Sequence, residues 1–135
     1  MCSNIINRSI RKIVNDDNTS ILYGGTIMNT DTTTETIRKL NDEFRYYFWC
    51  SPLGKTVLTR GVQVLPPKDK SELMNKIRFF NGFNEDNDPY GEHDFGKIEI
   101  SGETIFWKID YYDSDFEYGS PDPSDPNVKN DCLQL

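Results

Sequence analysis

Thr104-Ile105-Phe106-Trp107-Lys108-Ile109-Asp110-Tyr111-Tyr112 alternates along its whole length. Side chains on a strand point to opposite faces in turn, so Ile105, Trp107, Ile109 and Tyr111 share one side. Phe106, Lys108, Asp110 and Tyr112 share the other. Large apolar groups on one side predict a strand lying on a core, with Trp107 substantially buried beside residues such as Phe44 and Ile77. Lys97-Ile98-Glu99-Ile100 alternates in the same way, and Ser101-Gly102-Glu103 between the two runs is a tight-turn sequence. The two runs read as an antiparallel hairpin whose register is pinned by its apolar face.

Working outward, Ile37, Leu40, Phe44 and Tyr47 recur at helical spacing, which predicts a helix from about Thr33 to Phe48 behind a Thr/Asp-rich cap. Ser51-Pro52-Leu53-Gly54 stops it. Lys55 to Leu65 reads as a strand interrupted at Gly61 and ended by Pro66-Pro67. A second helix follows from about Asp69 to Phe80, with Leu73, Ile77 and Phe80 as its apolar stripe. Gly119 to Pro126 holds three prolines among Ser and Asp, a composition for an extended loop. The expected architecture is α+β, with two helices packed on a small, mostly antiparallel sheet and a C-terminal hairpin. The expected organisation is an N-terminal arm over 1–30, a core domain over 31–118 and a Pro/Asp-rich C-terminal segment over 119–135. Within the arm, Ile6, Ile10, Ile13 and Val14 have helix-like spacing, and Ile21 to Tyr23 has strand character.

At 135 residues the chain suits one core, and an aromatic content of 13% argues against wholesale disorder. The net charge of −7 is unevenly spread. Residues 1–80 carry 12 Lys+Arg against 8 Asp+Glu, whereas residues 81–135 carry 3 against 14. An acidic half of this kind points to a basic protein partner and disfavours direct DNA or RNA binding. No segment near Met1 resembles a signal peptide, and no apolar run approaches the roughly 20 residues that span a bilayer. The sequence therefore predicts a soluble cytoplasmic chain with no membrane association. Cys2, Cys50 and Cys132 are far apart and odd in number, which argues against a disulfide framework or a zinc knuckle.

The densest collection of chemical groups is Asn84-Glu85-Asp86-Asn87-Asp88-Pro89-Tyr90-Gly91-Glu92-His93-Asp94-Phe95-Gly96, with five acids and the only histidine. Loops held by a rigid scaffold are where function concentrates. Asp86, Asp88, Tyr90, Glu92, His93 and Asp94, with Asp110 and Asp113 from the hairpin, are the candidate binding residues. An EF-hand is excluded, because a loop starting at Asp86 puts Lys97 where the twelfth-position glutamate belongs. No cofactor follows from the motifs. Asp88, Glu92, Asp94 and Asp110 are the carboxylates that an irregular divalent-metal site would draw on, with His93 as candidate proton acceptor. Against this stands the turn-forming role of Asp, Asn and Gly, which needs no ligand. Leu53-Gly54-Lys55-Thr56 lacks the earlier glycine of a phosphate loop, and no serine has the nucleophile-elbow context.

Leu40 to Arg45, Leu58 to Val62, Asp86 through Gly96, Phe106 through Asp113 and Ser120 to Pro126 together resemble a bacterial family of short proteins of unknown function. The resemblance covers about residues 37–128 and implies a setting on plasmids, phages and other mobile elements. It implies no activity or cofactor. Asn127-Val128-Lys129-Asn130-Asp131 departs from the Thr-Arg-Val-Leu-like continuation of that family. Two functional readings follow. The first is a small acidic binding protein, a mobile-element inhibitor that imitates nucleic acid toward a basic host or defence protein such as a CRISPR component. The alternative is a metal-dependent hydrolase or nuclease built on the carboxylate and histidine cluster.

Overall fold

The computed structural model describes residues 29–48 and 50–135. Helix α1 spans Asn29–Tyr47, strand β1 Gly54–Val57, helix α2 Arg60–Gln63 and helix α3 Pro67–Arg78. Strands β2 (Phe95–Ile100), β3 (Glu103–Tyr112) and β4 (Asn130–Gln134) complete the described elements. The expected features of the N-terminal arm, at Ile6 to Val14 and Ile21 to Tyr23, lie outside the described residues.

The hairpin forms in the register that its alternation demands, from Phe95↔Lys108 to Ile100↔Glu103. Ser101 and Gly102 turn the chain at φ 50° and 85°. Two successive positive φ values match the right-handed twist of the flanking strands, and Gly102 adopts its value without a Cβ penalty. Trp107 is fully buried in one cluster with Phe44, Ile77 and Ile109, as the alternation predicts. Gly96 makes room for it, since a Cβ there would lie 2.7 Å from the indole nitrogen. Pro67 opens α3 at a position where its missing N–H costs nothing, and Lys76 and Arg78 sit in the last turn, where the helix dipole favours cations.

Three expectations are corrected. The sheet is mixed, in the order β1-β4-β3-β2, with β1 parallel to β4 and the other two pairings antiparallel. The hairpin is not the C-terminal element, because residues 130–134 of the Pro/Asp-rich tail insert as a central strand between β1 and β3. The alternation signal is weak there because β4 is buried on both faces, with Asp131, Cys132 and Leu133 all inside. The segment read as one strand over Lys55 to Leu65 is instead β1 followed by the helical turn α2. β1 runs out of partner where β4 ends: Leu135 N–H donates to Val57 O at 3.1 Å and Thr59 N–H to Leu135 O at 2.7 Å. The chain then turns, and packing of Val62 overrides the β propensity of Val57 to Val64.

The helices cover one face of the sheet. Strand pairing places Lys55, Val57, Asn130, Cys132, Gln134, Thr104, Phe106, Lys108, Asp110, Tyr112, Phe95, Lys97 and Glu99 on the opposite face, which no described helix covers. No helix among the described residues is long and apolar enough to cross a membrane.

Candidate functional site

Loop 84–94 is stitched to α1 and β3 by its own polar groups. Asn84 Oδ1 accepts from Asp86 N–H at 2.9 Å, and Asn87 Oδ1 accepts from Asn84 N–H at 2.9 Å, which closes the first turn. Asp88 is buried, and its Oδ1 accepts from the N–H groups of Glu92 (2.8 Å) and His93 (3.0 Å). Those two bonds hold His93 in a left-handed backbone conformation, φ 58°.

The His93 ring stacks flat on Phe83, with centroids 3.8 Å apart and planes 3° from parallel. Nδ1 donates to Asp42 of α1 at 2.9 Å, since a carboxylate can only accept. Nε2 faces Asp88 Oδ2 at 3.8 Å. Both ring nitrogens therefore look at carboxylates. Arg45, one turn along α1, donates to the same Asp42 oxygen at 2.8 Å. Its guanidinium lies over Phe83 at 4.9 Å and Trp107 at 5.3 Å. Two of its nitrogens, Nε and Nη1, have no hydrogen-bond partner among the described residues, and the aromatic faces take their place. Burial lowers the Arg45 pKa, and the Asp42 charge partly offsets that.

A second network lies deeper. Asn41, fully buried, donates from Nδ2 to Tyr111 OH (2.7 Å) and to the Glu92 carbonyl (2.9 Å). Tyr111 OH donates to Glu92 Oε2 at 2.9 Å. Burial pushes the Tyr111 phenol well above its ordinary range. From just ahead of β4, Lys129 Nζ reaches Asn41 Oδ1 at 3.4 Å and pairs with Asp131 at 3.2 Å. Neither of these two side chains has solvent exposure. Burial drives the Asp131 carboxyl up to about 6 and the Lys129 ammonium down, with each charge opposing the shift of the other.

Of the candidate residues read from the sequence, Asp88, Glu92 and His93 meet around α1. Asp94 lies beside them, its carboxyl raised by burial and by Glu92. Asp86 and Tyr90 project outward, and Tyr90 is 80% exposed. Asp110 is elsewhere: it points to the uncovered sheet face, where it accepts from Gln134 (2.6 Å) and Lys108 (2.8 Å). Asp113 caps its own turn through the N–H groups of Asp115 and Glu117. Among the described residues no group of three or more His, Cys, Asp or Glu side chains could hold a metal ion. The proposed ligands are thus divided between faces, and Asp88, Glu92 and Asp110 are already engaged in hydrogen bonds.

Sequence reasoning missed Asn41, Asp42, Arg45, Phe83, Lys129 and Asp131. One signal existed, because Asn41, Arg45 and Phe48 continue the buried stripe of α1 at i, i+4 and i+7.

Loops 84–94 and 113–126 both leave the same end of the sheet, where β2 and β4 begin and β3 ends. Together they hold ten Asp and Glu and no Lys or Arg. Their two outermost aromatics are Tyr90 and Tyr118, the latter 73% exposed. The architecture is that of a small α+β domain with a buried polar network under an acidic pole. The chain belongs to the family described as Protein of unknown function (DUF3768), whose model matches residues 58–133, more than half of the chain. No curated protein and no solved structure matches it.

Proposed function

We propose that this chain is a non-enzymatic binding protein that engages a basic partner protein through its acidic pole. The observation that carries the reading is the convergence of loops 84–94 and 113–126, with ten carboxylates and two exposed tyrosines, at one end of the sheet. Asp86, Asp115, Glu117 and Asp122 are exposed there. An array of fixed carboxylates raises the encounter rate with a positively charged surface, and exposed tyrosines supply the desolvated anchors that such interfaces concentrate their affinity in. A partner that normally holds nucleic acid presents the matching groove. The resemblance to mobile-element proteins agrees with an inhibitor of a host or defence protein of that type.

The hydrolase reading finds less support. His93 has each ring nitrogen directed at a carboxylate, which leaves neither poised for a substrate proton.

The test is capture by the immobilised full chain at about 0.05 M salt, with release at about 0.2 M salt or by added duplex DNA. A fourfold neutral variant, Asp115→Asn, Glu117→Gln, Asp122→Asn and Asp125→Asn, should lose the same captured protein. A partner held equally well by that variant and at both salt concentrations overturns the proposal.

A further inference from the structure

The sheet face that no described helix covers carries a pattern that the acidic pole does not use. Phe95 and Phe106 sit on the neighbouring strands β2 and β3, and each is paired across the strands with a lysine: Phe95↔Lys108 and Lys97↔Phe106. The result is a square of two aromatic rings and two ammonium groups. The rings lie 14° from parallel with centroids 5.9 Å apart. Phe106 is 56% exposed. Lys97 is exposed, and the Lys108 side chain is 51% exposed.

Whole-chain charge argues against a polyanion here, but the charges are segregated. This face holds Lys55, Lys97 and Lys108 against Glu99 and Asp110. Glu99 accepts from Thr104 at 2.7 Å, and Asp110 is held by Gln134 and Lys108. Flat apolar rings on a sheet face that no described helix covers, with cations one position away, suit a ligand that has π faces and a negative backbone. Paired bases hide their faces inside a duplex, so the ligand is single-stranded.

We propose that the Phe95/Phe106/Lys97/Lys108 face binds single-stranded nucleic acid, with a base stacked on Phe106 and phosphates at the two lysines. Asp110 tempers this by occupying Lys108. The face adjoins the acidic pole, where Phe116 lies over Lys55 at 4.0 Å, but it uses different side chains, so its failure would leave the partner reading untouched.

The experiment is fluorescence anisotropy with the full chain and labelled oligo(dT) and oligo(U) of about twelve nucleotides at about 0.05 M salt. Saturable binding is expected, weaker for a duplex of the same length. Phe106→Ala should weaken it about tenfold, the loss of one stacked base. Raising salt to about 0.2 M should weaken it about sevenfold for two phosphate contacts. Asp110→Asn should tighten it by releasing Lys108, and this keeps the test readable should Phe106→Ala fail to fold. Absence of saturation up to about 0.5 mM protein overturns the proposal. So does unchanged affinity in both Phe106→Ala and Asp110→Asn, which would leave the face to a protein partner.

Discussion

Loops 84–94 and 113–126 each carry five acids and no Lys or Arg, yet they use them differently. In the first, Asp88, Glu92 and His93 bond to α1, to Tyr111 and to the loop backbone. In the second, the carboxylates close short turns on themselves: Asp113 onto Asp115 and Glu117, Asp122 onto Ser124, Asp125 onto Asn127. Equal composition thus hides a loop that belongs to the core and a loop that decorates it. The difference comes from reach. Loop 84–94 lies against a helix that offers Asn41, Asp42 and Arg45, and no helix among the described residues stands behind the Asp122 and Asp125 turns.

The contrast breaks most visibly at Asp88. Asp88→Ala strands two backbone N–H groups inside the protein and should cost about 2–4 kcal/mol in a denaturation experiment. Asp122→Ala should change stability by less than about 0.5 kcal/mol. Equal effects would mean that the two loops are alike after all. Next in size is His93→Asn, which tolerates the left-handed backbone but loses the stack on Phe83 and the bond to Asp42. A loss of about 1–2 kcal/mol is expected by the same measurement.

The smallest effects are in titration. Burial raises the Asp94 pKa above 3.8, so its ionisation disfavours the fold and stability falls as pH rises through the raised value. Asp94→Asn should therefore melt higher than the parent at about pH 7 and equally at about pH 3. Bonds from Ser124 lower the Asp122 pKa, so its small contribution is present above 3.8 and lost as pH falls through the lowered value. A side-chain NMR titration should find Asp94 above and Asp122 below the ordinary carboxylate range. The reverse order would erase the distinction.

How far the sequence carries depends on periodicity. β3 announces itself because it is wet on one side and dry on the other, and the same rule locates Leu40 and Phe44 of α1, and Leu73 and Ile77 of α3. β4 is silent for the opposite reason. Lys129-Asn130-Asp131 looks like surface, and only the fold reveals that Lys129 and Asp131 neutralise one another in the interior. The site was half legible. Asp88, Glu92 and His93 stood out by density in one loop, but their partners Asn41, Asp42 and Arg45 lie about 50 residues away on a helix that reads as scaffold. Contacts between distant segments leave no local spacing to detect. Asp110 does not join them, because the alternation of β3 puts it on the face opposite Trp107.

The place of β4 has a consequence for how the chain comes off the ribosome. Synthesis delivers β1 early and the β2–β3 hairpin later, and the strand that joins them is translated after every other described element. Until residues 130–134 emerge, β1 has no strand beside it among the described residues, and Lys129 lacks the Asp131 carboxylate that pairs with it. The nascent chain therefore waits with its apolar face half assembled, and a stall or a nick just ahead of Asn130 would leave a product that quality-control proteases read as unfinished.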